Sequence, residues 1–151
     1  MRKEGMRIHK QVVPFESRTQ IDFIDITERV RDIVRESGIR QGQVTVFAAH
    51  TTMSVVINHN EPLLLQDFMR VLYKVAPIDD HYSHDLFELR KERPSDGRSN
   101  GHSHCKALLV GSSETVLVER GDLILSPLQS IFALEFDGAR KRDVVVQVMG
   151  I

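Results

Sequence analysis

The order of strand-like and helix-like segments is the feature that most restricts how this chain can fold. Eight short segments have the β-branched or alternating pattern of strands, and three have the apolar stripe of a helix. The predicted strands cover residues 8–15, 20–26, 44–49, 54–58, 115–119, 123–125, 131–136 and 144–149, and the predicted helices cover residues 27–38, 60–77 and 100–110. This order predicts an α+β fold with antiparallel β-sheets and about three helices. A length of 151 residues fits a single domain over residues 1–151.

Polar residues beside these segments predict where the helices begin and where the strands turn. Thr27 is expected to cap the first helix, and Gly38 is expected to end it. Asn60 is expected to cap the second helix. Residues 120–122 predict a turn between two strands, and residues 137–140 predict a turn into the last strand.

The stretch at residues 94–111 concentrates chemically versatile side chains in a short space. A polar, glycine-bearing loop runs into an apolar segment that Ser99 or Asn100 could cap as a helix. In a helix, His102 and His104 diverge by about 200° and cannot bind one ion together. In a strand they would point the same way, but the apolar spacing favours the helix.

The helical spacing also predicts which side chains of this stretch face inward. His104 precedes three small or apolar residues by three, four and seven positions, namely Ala107, Leu108 and Gly111. We therefore expect His104 on the inward face and more deeply placed than His102. His102 and Lys106 are four residues apart and share another side. Cys105 is expected to be a small buried apolar side chain.

Composition matters here mainly for the functional classes that it excludes. The net charge is −1, so no overall field attracts nucleic acid or an anionic membrane. The apolar runs are too short to cross a bilayer, and the charged N-terminus lacks the apolar core of a secretory signal. We therefore expect a cytoplasmic protein with neither nucleic-acid nor membrane partners.

Two short polar motifs flank the fourth predicted strand. His50, Thr51 and Thr52 could bind a metal or an anion, or His50 could satisfy backbone groups of a turn. Spacing alone favours the turn. Glu61 could bind hydrated Mg²⁺ or act as a base, but its place at the start of a helix is explained fully by capping.

The irregular segment at residues 79–100 holds a second histidine motif. His81 and His84 resemble part of a metal site, in which Asp85 could orient an imidazole. Such histidine pairs are also common in polar loops, so this signal is weak.

Cations of the same segment could bind a phosphate. Lys91, Arg93 and Arg98 precede the free amides expected at Asn100, where an anion could be held. A solvated charged loop explains these cations equally well. Gln129 is either a turn amide or a ligand-binding amide.

Taken together, these motifs resemble the YjbQ-like family, often labelled secondary thiamine-phosphate synthase. The similarity covers nearly the whole chain and rests on residues 50–52, 57–61, 100–111 and 123–150. The last range keeps the following residues of the family pattern: Gln129, Ile131, Glu135, Phe136, Asp137, Gly138, Arg140 and Arg142. The chain departs from the pattern at residues 126–129, where many relatives have Gly-x-Trp-Gln and this chain has no tryptophan.

The resemblance implies a homotrimer with a polar cluster near a subunit boundary. That cluster maps onto His50, His84, His104 and Lys106, with Asn60, Glu61 and Gln129 nearby. It also implies a weak thiamine-phosphate synthase activity. The usual enzyme of that type is a (β/α)8 barrel, which needs at least about 200 residues, so this chain would catalyse the reaction on a different fold.

The main hypothesis is therefore an enzyme that acts on a phosphorylated small molecule. It assigns catalysis to His104, Lys106 and Glu61, substrate binding to Lys106, Arg98, Asn100, Thr51 and Gln129, and a divalent ion, Mg²⁺ or Zn²⁺, to His50, His84 and His104. Loss of pyrophosphate needs its charge neutralised more than it needs a strong base. One alternative is a non-catalytic homotrimer that binds a metal or an anion. Another is a cluster that only joins subunits.

Overall fold

The order of elements confirms the sequence prediction. The computed structural model describes residues 5–92 and 97–151. Within them the elements are β1 (Arg7–Glu16), β2 (Asp22–Asp25), α1 (Thr27–Ser37), β3 (Gln41–Phe47), β4 (Met53–Asn58), α2 (Pro62–Val75), two 3-10 turns (Ser83–Asp85 and Phe87–Leu89), α3 (Gly101–Val110), β5 (Ser113–Glu119), β6 (Asp122–Leu123), β7 (Ser130–Glu135) and β8 (Lys141–Gly150). All the strand pairs are antiparallel, so the α+β fold is as expected.

The strands form two sheets that share one apolar core. One sheet has the order β1-β8-β3-β5-β6, and the other has the order β2-β7-β4. Val44 and Val146 of the five-stranded sheet are fully buried in the same core as Val55 and Ala133 of the three-stranded sheet. Val30 of α1 belongs to this core as well.

The helices α2 and α3 cover the opposite face of the three-stranded sheet. Phe132 and Leu134 of β7 point to this face, where they form a second core. Leu65 and Leu72 of α2 and Ala107 of α3 pack against them. Residues 131–135 are therefore buried on both faces of the sheet, and β7 lies at the centre of the three layers.

The turn predicted at residues 137–140 does not make a hairpin. Because β7 belongs to one sheet and β8 to the other, this segment carries the chain between the sheets. The segment that contains His50 does the same between β3 and β4. The strand patterns predicted the strands, but they do not specify which strands pair.

Two of the predicted helix caps are wrong, and one helix end is confirmed. Thr27 is the first residue of α1, and its hydroxyl donates to the Asp25 carboxylate at 2.6 Å. Glu61, not Asn60, caps α2, since its carboxylate accepts from the second and third amides of the helix. Gly38 ends α1 in the left-handed conformation at φ 65°.

The hairpin between β5 and β6 is confirmed. Arg120 and Gly121 form its two-residue turn with φ values of 55° and 81°, the positive values that a tight hairpin needs. No helix in the described part of the chain is long and apolar enough to span a membrane.

Close approach of two strands requires glycine at position 42. A Cβ at Gly42 would lie 2.1 Å from the carbonyl oxygen of Met149 on β8. We expect Gly42→Ala to lower the free energy of unfolding by about 1–3 kcal/mol, because backbone must move to accept the methyl group. Chemical denaturation would measure this change. Gly5→Ala is the matched control, since a Cβ there meets nothing within 4 Å. Equal stability of the two variants would contradict the prediction.

Candidate functional site

His50 and His104 line one open cavity. His50 lies in the segment that crosses from β3 to β4, and His104 lies on α3. The cavity has a volume of about 640 Å³, and its wall also includes Thr51, Phe47 and Leu108. The sequence pointed to both histidines, and the structure brings them to the same opening.

Each of these two rings lies beside a neighbouring acceptor. His50 Nε2 lies 3.4 Å from Asp143 Oδ1 of β8. The backbone carbonyl of Thr51 lies beside the ring of His104 and favours its protonated form. The two imidazoles are therefore oriented by different elements, and each keeps a second ring nitrogen for other partners.

His84 extends this group beyond the cavity wall. Its ring meets the ring of His104 edge to face, with the centroids 4.7 Å apart. Burial, and then the neighbouring His84, lowers the pKa of His104 below its ordinary value of 6.5, against the opposing effect of the Thr51 carbonyl. His104 is therefore a neutral base at neutral pH, which suits proton transfer or metal coordination.

Asp85 fixes the start of α3 beside these rings. Its Oδ1 accepts from the backbone amides of Asn100 and Gly101, each at 3.0 Å. The prediction that the Ser99 or Asn100 side chain caps α3 is therefore wrong, because a carboxylate from the preceding loop takes that place. Asp85 thus positions the histidines by anchoring the helix.

The inward face of α3 differs from the predicted one. His102 and Lys106 are fully buried, whereas His104 is half-buried, so the prediction that His104 is the deeper histidine is wrong. Cys105 is exposed rather than buried, and Leu108 is 83% exposed. Apolar spacing misidentified the face because the buried polar pair finds partners in the interior.

Lys106 is bonded on the interior side of α3. Its Nζ donates to the Ala76 carbonyl at the end of α2 at 2.5 Å and lies 2.9 Å from His102 Nδ1. Burial lowers the pKa of Lys106 below its ordinary value of 10.5. The ammonium therefore does not line the cavity, and a phosphate bound there would not contact it in this conformation.

Arg98 and Asn100 bind a buried carboxylate rather than the cavity. Arg98 Nη1 donates to the Asp137 backbone carbonyl at 3.0 Å, and Asn100 Nδ2 donates to Asp137 Oδ2 at 3.0 Å. Arg140 Nη2 donates to the same Oδ2 at 2.7 Å. Two side chains that were predicted to bind substrate thus hold the segment that follows β7.

Glu135 is the second buried carboxylate, and sequence reasoning assigned no role to it at the site. Its Oε2 accepts from Arg142 Nε at 2.7 Å, and its Oε1 accepts from Thr52 Oγ1 at 3.1 Å. Thr52 directly follows Thr51, whose carbonyl lies beside His104. Glu135 and Arg142 both belong to the family pattern. Their positions in the sequence, however, do not show that they lie near His50.

Asn60, Glu61 and Gln129 lie away from the histidines within one chain. The strand β4 separates them from His50, and its residues span roughly 20 Å at about 3.3 Å per residue. Gln129 instead lines another cavity, of about 450 Å³, together with Asp25. Asn60 Nδ2 donates to Asp25 Oδ2 at 2.8 Å. The cluster that the resemblance implied is therefore divided between two ends of the molecule.

The described residues form no ready-made metal centre. Among residues 5–92 and 97–151, no group of three or more His, Cys, Asp or Glu side chains is arranged to hold a metal ion. His84 and His104 are the close pair among the three histidines that were predicted as ligands. Arg93 of the predicted phosphate site, and residues 94–96 of the histidine stretch, lie outside the described residues.

Comparison with known proteins gives a consistent family assignment. Residues 11–151 match the family model described as UPF0047 protein YjbQ-like. A UPF0047 protein of Methanothermobacter thermautotrophicus is 37% identical over 145 residues, which cover 96% of this chain and 94% of that protein. UPF0047 protein YugU of Bacillus subtilis is 36% identical over 85% of this chain and 90% of its own length.

Solved structures share the fold. A YbjQ-like protein of unknown function from Sulfolobus solfataricus superposes with a TM-score of 0.88 at 28% identity, over 97% of this chain and 100% of that chain. A YjbQ/UPF0047 protein from Clostridium acetobutylicum superposes with a TM-score of 0.79 at 35% identity, over 91% of this chain and 98% of that chain.

The buried amine of Lys106 should make the free energy of unfolding depend on pH in the alkaline range. Because its pKa is lowered in the folded state, the unfolded chain binds a proton that the folded chain lacks at pH values between the lowered pKa and 10.5. We expect the free energy of unfolding to rise with pH across this window and to rise less steeply in Lys106→Met. Urea denaturation between pH 7 and 10 measures both slopes. The control is Lys74→Met, at an exposed position on α2. A Lys106→Met slope equal to that of the wild type would rule out this linkage.

Proposed function

The chain belongs to the YjbQ-like (UPF0047) family, and on that basis we propose that it is an enzyme acting on a phosphorylated small molecule at the His50–His104 cavity. A thiamine-phosphate synthase reaction is proposed as a secondary activity of this site. The observation that carries the proposal is the placement of two oriented imidazoles on one cavity wall.

The chemistry of the two rings supports a transfer reaction. In the synthase step, the ring nitrogen of the thiazole phosphate forms a bond to the methylene carbon of the activated pyrimidine. The bond from that carbon to the pyrophosphate oxygen breaks, and the pyrophosphate leaves with the electron pair. His50 and His104 are the residues that would hold a divalent ion, and such an ion would stabilise the charge of the leaving pyrophosphate.

The proposed roles of some residues change with their positions. Lys106 and Glu61 are structural in one chain, because Lys106 bonds to Ala76 and Glu61 caps α2. We therefore assign phosphate binding to the histidines and to the backbone around Thr51. Arg98 is partly exposed beside Asp137 and remains a proposed contact for an anion at the rim.

An uncovered sheet face supports the proposed homotrimer. The outer face of the five-stranded sheet carries exposed apolar side chains at Ile8, Val12, Phe47 and Leu117. Ile8 and Leu117 share one cross-strand row, and Val12 and Phe47 share another. Exposed apolar surface of this kind commonly marks an interface. Because Phe47 also lines the cavity, a neighbouring subunit on this face would border the site.

A homotrimer that binds a metal or an anion without catalysis is the second candidate. The edge-to-face contact between His84 and His104 favours it, since paired imidazoles are common ligands of Zn²⁺. A subunit across the interface would then have to supply further ligands. This candidate shares the site with the enzyme and differs in the absence of turnover.

The decisive experiment measures turnover and metal content on the same variants. The substrates are the pyrimidine pyrophosphate and the thiazole phosphate, with and without Mg²⁺. Because general acid–base groups contribute about 100-fold to 10,000-fold, we expect His104→Asn and His50→Ala to lose at least about 100-fold in kcat/KM. His59→Ala is the histidine control, since His59 lies at the other end of β4.

Each outcome selects between the two candidates. Unchanged turnover in both cavity variants would refute the proposed enzyme site. Absence of turnover in the wild type, together with bound metal that His84→Ala and His104→Asn lose, would establish the binding protein instead. Plasma emission on untagged protein measures the metal.

The lowered pKa of His104 also predicts the acid limit of the activity. If His104 holds the ion, its free ring must be neutral, and burial keeps it neutral to below pH 6.5. We expect the acid limb of kcat/KM to fall below that value and to be absent from the residual activity of His104→Asn. An acid limb that persists unchanged in the variant would assign the titration to another group.

A further inference from the structure

Part of the apolar surface of the helix α2 does not pack on the three-stranded sheet. Leu65, Met69 and Leu72 pack on the three-stranded sheet. A second row of apolar residues lies beside them, at spacings of four, three and four positions, and consists of Leu64, Phe68, Val71 and Val75. At 100° per residue these four side chains fall within about 60° of one another, so they form one strip along the helix.

This α2 strip is accessible in the single chain. Val71 and Val75 are 57% and 58% exposed, and Leu64 and Phe68 are half-buried. No residue of α2 is fully buried, which is unusual for a helix with this much apolar surface. Phe68 stacks on Phe23 of β2, and this contact holds the middle of the strip against the sheet.

We propose that the α2 strip pairs with the α2 strip of a second copy of this chain, antiparallel across a two-fold axis. The spacing is symmetric about the midpoint between residues 69 and 70. In an antiparallel pair, Leu64 therefore faces Val75 of the second copy, and Phe68 faces Val71. Spacings that alternate between three and four positions are those with which packed helices interdigitate.

The charges beside the strip are complementary in the same arrangement. Asp67 and Lys74 lie along one edge of the α2 strip, with Asp67 in the N-terminal half and Lys74 in the C-terminal half. Antiparallel pairing across a two-fold axis keeps this edge of both helices on the same side, so Asp67 lies near Lys74 of the second copy. Parallel pairing puts the two edges on opposite sides of the pair, so this attraction is absent. A two-fold interface must be complementary to itself, and both the apolar spacing and the charges meet that condition.

The polar face of α2 argues against a membrane as the occupant. It carries Asp67 beside Arg70 and Lys74, and Asp67 and Arg70 form an ion pair with each other. Helices that lie on anionic membranes have a strongly basic polar face, which this one lacks.

The α2 interface is distinct from the sheet face proposed for the trimer. Three-fold contacts through the sheet and two-fold contacts through α2 would together give a dimer of trimers with three α2 pairs. Each pair is small, but three pairs acting together strengthen the association. The inference therefore does not depend on the enzymatic proposal, and it predicts pairing of whatever oligomer the sheet face forms.

The first test is the mass of the full-length protein in solution. We expect Val71→Glu to halve the mass measured by light scattering, while circular dichroism shows that the fold is retained. Leu63→Glu is the matched control, because Leu63 is a 68% exposed apolar residue of the same helix that lies outside the strip. An unchanged mass for Val71→Glu would overturn the proposal. A second outcome would also overturn the proposal, in favour of a membrane as the occupant. In that outcome the wild-type protein binds anionic vesicles, and Val71→Glu loses this binding without a change of mass.

Cross-linking tests the direction of the pair. In a Cys105→Ser background, Phe68→Cys and Val71→Cys are prepared as separate proteins and then mixed under mild oxidation. We expect a covalent dimer that joins one protein of each kind and forms in higher yield than in either protein alone. Equal yields in the mixed and unmixed samples would contradict the antiparallel arrangement.

Discussion

The buried carboxylate of Glu135 is the interaction on which the arrangement around the cavity depends. It stands at the end of β7 and is fully buried, so it requires partners for its charge. Arg142 of β8 supplies one at 2.7 Å, and Thr52, just before β4, supplies another at 3.1 Å. Removing one partner of such a pair typically costs about 3–5 kcal/mol. One side chain thus joins the two sheets at the point where the chain crosses between them.

The positions of both cavity histidines follow from this junction. With Thr52 held by Glu135, the preceding Thr51 carbonyl is fixed beside the His104 ring. Neighbouring residues of a strand point to opposite faces, so Arg142 turns inward to Glu135 while Asp143 turns outward to His50. The same short piece of β8 therefore supports the junction on one face and orients a cavity imidazole on the other.

The sequence predicted the parts of this molecule that depend on local pattern. Strand and helix order follows from apolar periodicity, and the turn at Arg120 and Gly121 follows from turn chemistry. Strand partners could not be predicted in the same way, because β7 is buried on both faces and its pattern does not point to one neighbour. The carboxylate that caps α3 could not be predicted locally either, because Asp85 precedes the helix by about one loop and no short motif links it to Asn100. Capping by Glu61 at the start of α2, in contrast, follows from local position.

His104 and Lys106, both predicted as functional residues, lie on opposite faces of α3 and cannot serve one site together. His104 and Lys106 are two positions apart, so their side chains leave the helix about 200° from each other. In the structure one points to the cavity wall and the other to the interior, where it holds the end of α2. A rotation of α3 that brought Lys106 to the cavity would remove His104 from it. While α3 stays helical, a small ligand at this cavity can therefore use His104 or Lys106 of a given chain, and the observed contacts select His104. Further positive charge for a phosphorylated ligand must then come from the other histidines, from a bound ion or from a neighbouring subunit.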